Sequence, residues 1–294
     1  MGLVYALGAY LTWGLLVPVH FRLLGAFSPW HILAERILWS SLFAGLLALA
    51  WRHRLRLPLP FARRHALLLL SAVLIGVNWV LYLYAVDRGH LLDASLGYYI
   101  NPLVSVALGR VVLGERLRPV QAVAVGIAAL GVVVAVAWAG DLPALSLALA
   151  VTFALYGLVR KVVAVDPLVG FLAETLILMP AALAWLATTT EPVLPAEPRV
   201  LALLMLTGIT TALPLIWFAA AAVRLRLTTL GLMQYIAPTG LLVLSVLVYG
   251  ERLEPHRAAM FGLIWAALAL YTVDALRGRR AEGAPRSAPG PMRV

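Results

Sequence analysis

The 294-residue chain has no cysteine, so disulfides, thiolate metal sites and thiol catalysis are excluded from the start. Charge is almost as scarce. Asp, Glu, Lys and Arg together supply 12% of residues, where a soluble globular domain carries about 25%. Lysine is nearly absent: Lys161 is the single one among 23 basic residues. The six histidines show no metal-ligand spacing. The motifs HExxH and GxSxG are missing, and with them zinc-protease and serine-hydrolase chemistry. GxxxxGKS/T is missing too, which excludes an ATP-driven pump on this chain. The sequence therefore predicts no enzyme, no metal and no cofactor.

What is abundant is apolar surface. Hydrophobic residues make up 63% of the chain and mean hydropathy is +0.95, more than a water-soluble fold of this size can bury. Ten apolar blocks of membrane-spanning length stand out: 3–23, 30–50, 66–85, 94–113, 119–138, 144–160, 168–187, 200–219, 229–249 and 258–275. About 20 apolar residues cross a hydrocarbon core as a helix. Barrel strands would alternate in polarity, and these blocks are apolar all round. An all-α membrane protein with ten transmembrane helices follows. The first block lacks a basic n-region and a small-residue cleavage site, so it reads as the first helix. The tail from Leu276 onward is rich in Arg, Pro and Gly and reads as disordered.

The net charge of +10 is topological. Basic residues sit between the blocks and form no single patch, which speaks against nucleic acid. Seventeen fall in the loops and tail on the side that holds both termini, five on the other side, and Arg36 lies within the second block. By the positive-inside rule both termini are cytoplasmic.

A duplication underlies the blocks. GERLRP at 114–119 returns as GERLEP at 250–255, and each follows a proline, Pro102 or Pro238, by the same distance. At this offset Tyr99 matches Tyr235 and Ala85 matches Ala221; with loop drift, Glu35 matches Glu174. Two repeats follow, 1–138 and 139–275, with a tail of 276–294. Five spans per repeat is odd, so the second copy is inverted. Inverted repeats are the signature of secondary transporters, in which two similar halves can open to either face. Duplication in a static membrane protein is the alternative.

Polar residues inside spans need a reason, since a charge at mid-membrane costs about 2.5–3.5 kcal/mol on insertion scales. Glu35, Arg36 and Glu174 read as coupling or gating groups, or as structural charges within each half. Asn78, Trp79 and Tyr82 lie together on the third block, and Tyr98 and Asn101 share a stripe on the fourth. Trp13, Tyr156, Gln234 and Tyr235 add aromatic and amide groups from the first, sixth and ninth. Together they read as the wall of a central cavity for a small amphipathic substrate. Helix–helix bonding is the alternative for each residue singly. Arg160 is positioned to attract an anionic group such as a carboxylate. Pro102, Pro214 and Pro238 are expected to break their helices and free carbonyls toward the cavity. The fifth and tenth blocks are nearly featureless, with small residues suited to lipid or to a second copy in a homodimer. If Glu35 or Glu174 titrates, it would couple transport to protons.

Longer runs carry a resemblance: GVNW (76–79), DASLGYYINPLVSVALG (93–109), FALYGLVRK (153–161), RLRLTTLG (224–231) and QYIAPTG (234–240). The chain resembles the RarD group of EamA-type permeases in the drug/metabolite transporter superfamily, over nearly its whole length. The resemblance implies two EamA repeats, a bacterial inner-membrane location, export of a small metabolite or drug, and a cavity lined by spans 1, 3, 4, 6, 8 and 9. Proton-coupled uptake and a non-transporting regulatory subunit are the rival functions.

Overall fold

The computed structural model describes residues 1–51, 61–88, 90–139, 144–250 and 252–283. Every regular element among them is helical: α1 (Gly2–Leu23), α2 (Pro29–Ala50), α3 (Phe61–Asp87), α4 (Leu91–Val111), α5 (Pro119–Ala139), α6 (Ala144–Val163), α7 (Pro167–Thr188), α8 (Pro198–Ala222), α9 (Leu227–Val248) and α10 (Pro255–Gly283). Nine are long and apolar enough to cross a membrane. The exception, α4, has the length at 21 residues. Its Tyr98, Tyr99, Asn101, Pro102, Ser105 and Arg110 dilute the apolar content below that of a lipid-facing span, so nine candidate spans stand among the described residues where ten were expected, and the tenth helix is more polar.

Local chemistry sets the boundaries. Proline opens α2, α5, α7, α8 and α10, where its missing N–H costs nothing. Ser28 caps α2 by accepting from His31 N, and Asp166 caps α7 by accepting from the Leu168 and Val169 amides at 3.0 and 3.1 Å. Gly114 and Gly250, the first residues of the two repeated turns, both take positive φ, +65° and +68°, the left-handed conformation that ends a helix. Glu115 turns back across the bundle, and its carboxylate accepts the first amides of α9, Leu227 N at 2.6 Å and Thr228 N at 2.9 Å. Its counterpart Glu251 lies outside the described residues.

Proline behaves differently from expectation at two of three positions. Pro102 and Pro214 sit inside uninterrupted helices. Each removes one ladder bond without breaking its helix, and at Pro102 the α9 backbone packs close, a Cβ on Gly231 falling 3.0 Å from the Pro102 carbonyl oxygen. Pro238 does mark an interruption, because α9 loosens at Gln234 and Tyr235 and ends in a π-helical turn at 244–248. A second π turn, 12–16, precedes Pro18 in α1. The final helix runs on through 276–283, a stretch expected to be disordered; 284–294 lie outside the described residues.

The two ends of the bundle can be told apart. At one end Gly2 packs on Leu225 and Arg224, Lys161 donates to the Ala222 carbonyl at 3.1 Å, and Glu115 caps α9. At the other, Ser28 N donates to Glu191, Trp30 lies against Trp185, and Arg22 stands over the Tyr249 ring. The Gly114 turn is thus at the amino-terminal end, and the Gly250 turn, next to Tyr249, at the opposite one.

The main packing joins the first five helices to the last five: α1 with α8 and α9, α2 with α7 and α8, α3 with α6 and α7, α4 with α6 and α9, and α5 with α10. Exchanging the halves returns the same set. Two crossings need glycine: a Cβ on Gly14 would fall 2.5 Å from the Ala237 carbonyl oxygen, and one on Gly208 2.5 Å from the Trp39 backbone. The fifth and tenth helices, expected to face lipid or a second copy, bury Ala124, Ala128, Met260, Phe261 and Ile264 against each other. Of their glycines, Gly131 makes the close contact, while Gly126 and Gly262 face open space.

Candidate functional site

At the centre of the bundle an aromatic cluster closes the space between α1, α6 and α8. Trp13 lies 5.7 Å from Phe153 and 5.8 Å from Phe218, and Tyr156 stacks on Phe218 at 5.9 Å between ring centroids. Tyr10 joins it at 5.9 Å from Trp13, with its hydroxyl donating to the Leu230 carbonyl. Trp13 stands in the π turn of α1, an irregularity that re-aims side chains and is frequent at functional sites. Tyr10, Tyr156 and Phe218 are fully buried.

Toward the amino-terminal end lies a buried charge pair. Arg160 Nη1 donates to Glu174 Oε1 at 3.1 Å, and its Nη2 to the Pro167 carbonyl. Glu174 also accepts from Tyr156 at 3.2 Å and from Ser71 Oγ. Gly170 makes room for the guanidinium, since a Cβ there would collide with it. Arg160, expected to attract a substrate anion, is therefore committed to a protein carboxylate. Tyr156 serves the same pair.

The matching carboxylate, Glu35, is furnished differently. One oxygen accepts from Trp39 Nε1 at 2.7 Å. The other has no hydrogen bond and lies 3.6 Å from His31 Nε2. His31 is buried, neither ring nitrogen is hydrogen-bonded, and its Nδ1 stands 3.9 Å from Glu191, a partly exposed loop residue. His31 was not singled out in the sequence, although its i, i+4 spacing to Glu35 was visible there.

Arg36 points the other way, as adjacent helical residues do. Its Nε donates to Thr211 at 3.2 Å, and its guanidinium carbon stands 4.4 Å over the Trp79 ring and 5.6 Å from Phe21. Among the described residues no carboxylate pairs with it. Tyr82 and Tyr98 are within its electrostatic reach, their rings 6.1 Å apart. Tyr98 is 49% exposed, yet it shares a helix face with Asn101, which is buried against α6. Tyr98 lies in the first half of α4, toward the end of the bundle opposite the Gly114 turn.

The amides act between helices. Asn78 donates to the Leu149 carbonyl and to Thr152, each at 2.9 Å, and Asn101 to the Ala150 carbonyl at 3.0 Å. Tyr235 donates to the Tyr99 carbonyl at 3.1 Å, and Gln234 is buried at the loosened turn of α9. The structure brings Trp13 and Tyr156 into the aromatic cluster, and Arg36, Trp79, Tyr82 and Tyr98 into one group. It leaves Asn78, Asn101 and Tyr235 tying helices.

Helices with apolar exteriors around a centre of charges and aromatic rings define a multi-pass membrane protein of the transporter class. Comparison with known proteins carries this further. The EamA-like transporter family matches residues 1–137. An uncharacterized transporter of Vibrio cholerae is 43% identical, covering 95% of this chain and 94% of that one. The RarD protein of Escherichia coli K12 is 42% identical over 95% of this chain and 96% of its own. The RarD protein of Streptomyces exfoliatus is 44% identical over 99% and 94%. A solved crystal structure shares the fold at a TM-score of 0.73 and 22% identity, covering 94% of this chain and 98% of that one. The chain belongs to the RarD group of EamA-type permeases, multi-pass membrane proteins of bacteria.

The Arg160–Glu174 pair yields a stability test. Glu174→Gln strands a buried guanidinium and should cost about 3–5 kcal/mol, whereas Glu174→Leu with Arg160→Met removes both charges and should recover most of the loss. Denaturant unfolding of purified protein in detergent measures both; equal losses in the single and double variants would contradict the pair's role.

Proposed function

We propose that the chain is a secondary transporter of small molecules, built from two inverted five-helix repeats, 1–138 and 139–275, and working by alternating access. The observation that carries this reading is the set of helix pairings, which is unchanged when the halves are exchanged. A bundle with that property has two near-equivalent packings, each open to one face. The two glycine turns of positive φ, at opposite ends of the bundle, support the inversion.

Charge supplies the orientation. The amino-terminal end carries most of the arginines and faces the cytoplasm, with both termini, by the positive-inside rule. The aromatic cluster then closes the cytoplasmic side, and the space beside Tyr98 and Arg36 opens outward. This is an outward-facing conformation, reached here with the rings of Trp13, Phe153, Tyr156 and Phe218 as the inner gate. Export as the direction follows from the resemblance to drug and metabolite exporters.

Glu35 is the coupling group of this scheme. It is buried, it keeps one oxygen without a donor, and His31 links it to Glu191 in the outer loop. His31 stands 3.9 Å from Glu191 and 3.6 Å from Glu35, so a shift of its ring or one bridging water on each side completes a proton path from the outer loop. Glu174, held by three donors, is the structural member of the symmetric pair.

Two measurements test these points. Because the chain has no native cysteine, Arg116→Cys and Arg252→Cys are clean single-site probes. A membrane-impermeant maleimide should label the first from the cytoplasmic face and the second from outside; labelling from one face would contradict inversion. Trp39 reports on Glu35, so the tryptophan emission of purified protein should change with pH in a step that Glu35→Gln abolishes. An identical titration in both proteins would remove Glu35 as the proton site.

A further inference from the structure

Arg36 is the one cation of the bundle interior whose terminal nitrogens are accepted by no protein oxygen among the described residues. Its hydrogen bonding stops at Nε, with Thr211. Arg160 and Lys161, in the last turn of α6, are taken up by Glu174 and the Pro167 carbonyl and by the Ala222 and Leu225 carbonyls. The neighbour in sequence, Glu35, is turned toward Trp39 and His31. What surrounds the Arg36 guanidinium is aromatic: Trp79 beneath it, Phe21 beside it, and Tyr82 and Tyr98 toward the open side.

A guanidinium whose plane is supported by an indole keeps its edge, and with it the Nη1 and Nη2 donors, free for a two-point contact. That fork matches a carboxylate. The exposed Tyr98 ring, alongside, offers a face for an apolar or aromatic body and a hydroxyl for a further hydrogen bond. We infer that Arg36 is the anion-binding residue of the central site, and that the substrates are small carboxylates carrying an aromatic or apolar group.

This inference rests on the transporter reading for its purpose, though not for its test. The probes are benzoate, phenylacetate and indole-3-acetate, each set against its own amide, titrated calorimetrically into purified protein in detergent. At least one acid should bind ten-fold or more tightly than its amide. Arg36→Gln should lower the affinity for that acid at least ten-fold and leave the amide unchanged. Arg36→Lys, which keeps the charge and loses the fork, should fall between them. A thermal unfolding midpoint near that of the wild type certifies each variant as folded. Equal binding of acids and amides, no binding by any acid, or unchanged acid binding in folded Arg36→Gln would overturn the assignment. Transport fails separately: acids that bind through Arg36 but never cross proteoliposomes would refute the transporter reading and leave the site standing.

Discussion

Hydrocarbon supplies no hydrogen bonds, so each polar atom inside this bundle has to find its partner in its own helix, on another helix or in water. That constraint organises the molecule. Asn78 and Asn101 close onto backbone carbonyls of α6, Tyr235 onto one of α4, and Tyr10 onto one of α9. Even Glu115, at the membrane boundary, caps a helix of the other half. These polar contacts join the halves, and among the described residues the buried polar atoms without a hydrogen bond are few: both His31 ring nitrogens, one oxygen of Glu35, Arg160 Nε and Asp274 Oδ2.

These exceptions are where the two halves depart from symmetry. Glu174 accepts from Arg160, Tyr156 and Ser71; its counterpart Glu35 accepts from Trp39 alone. A fully bonded carboxylate holds a helix pair in place. A carboxylate with a free oxygen and a histidine beside it can gain and lose a proton without breaking a network. The matched positions Glu35 and Glu174 thus differ in how fully their carboxylates are bonded, and the proposed division of coupling and structure between them rests on that difference.

Much of this is written plainly in the sequence, and the parts that are not have physical reasons. The blocks, the repeat and the helix starts at proline are local signals, set by composition and backbone chemistry. The more polar α4 and the unbroken helices at Pro102 and Pro214 are less legible, because a single lost ladder bond does not decide whether a helix continues when its neighbours pack against it. That Arg160 meets a carboxylate while Arg36, among the described residues, meets none is not legible in the sequence, because it is decided by the turn at Asp166 and by side-chain direction. Phe218 carries no sequence signal that separates it from other apolar residues of α8, yet it touches four rings of the aromatic cluster, those of Tyr10, Trp13, Phe153 and Tyr156.

The central claim is a cavity that faces each compartment in turn. Tyr98→Cys, in a chain otherwise free of cysteine, places one thiol on the open side of the aromatic cluster. In the resting state an impermeant maleimide should reach it from outside and not from the cytoplasm. Replacing Phe218 with alanine should loosen the gate and add labelling from the cytoplasmic face. Resting-state labelling from both faces, or from neither in either background, would contradict a pocket that opens to one side at a time.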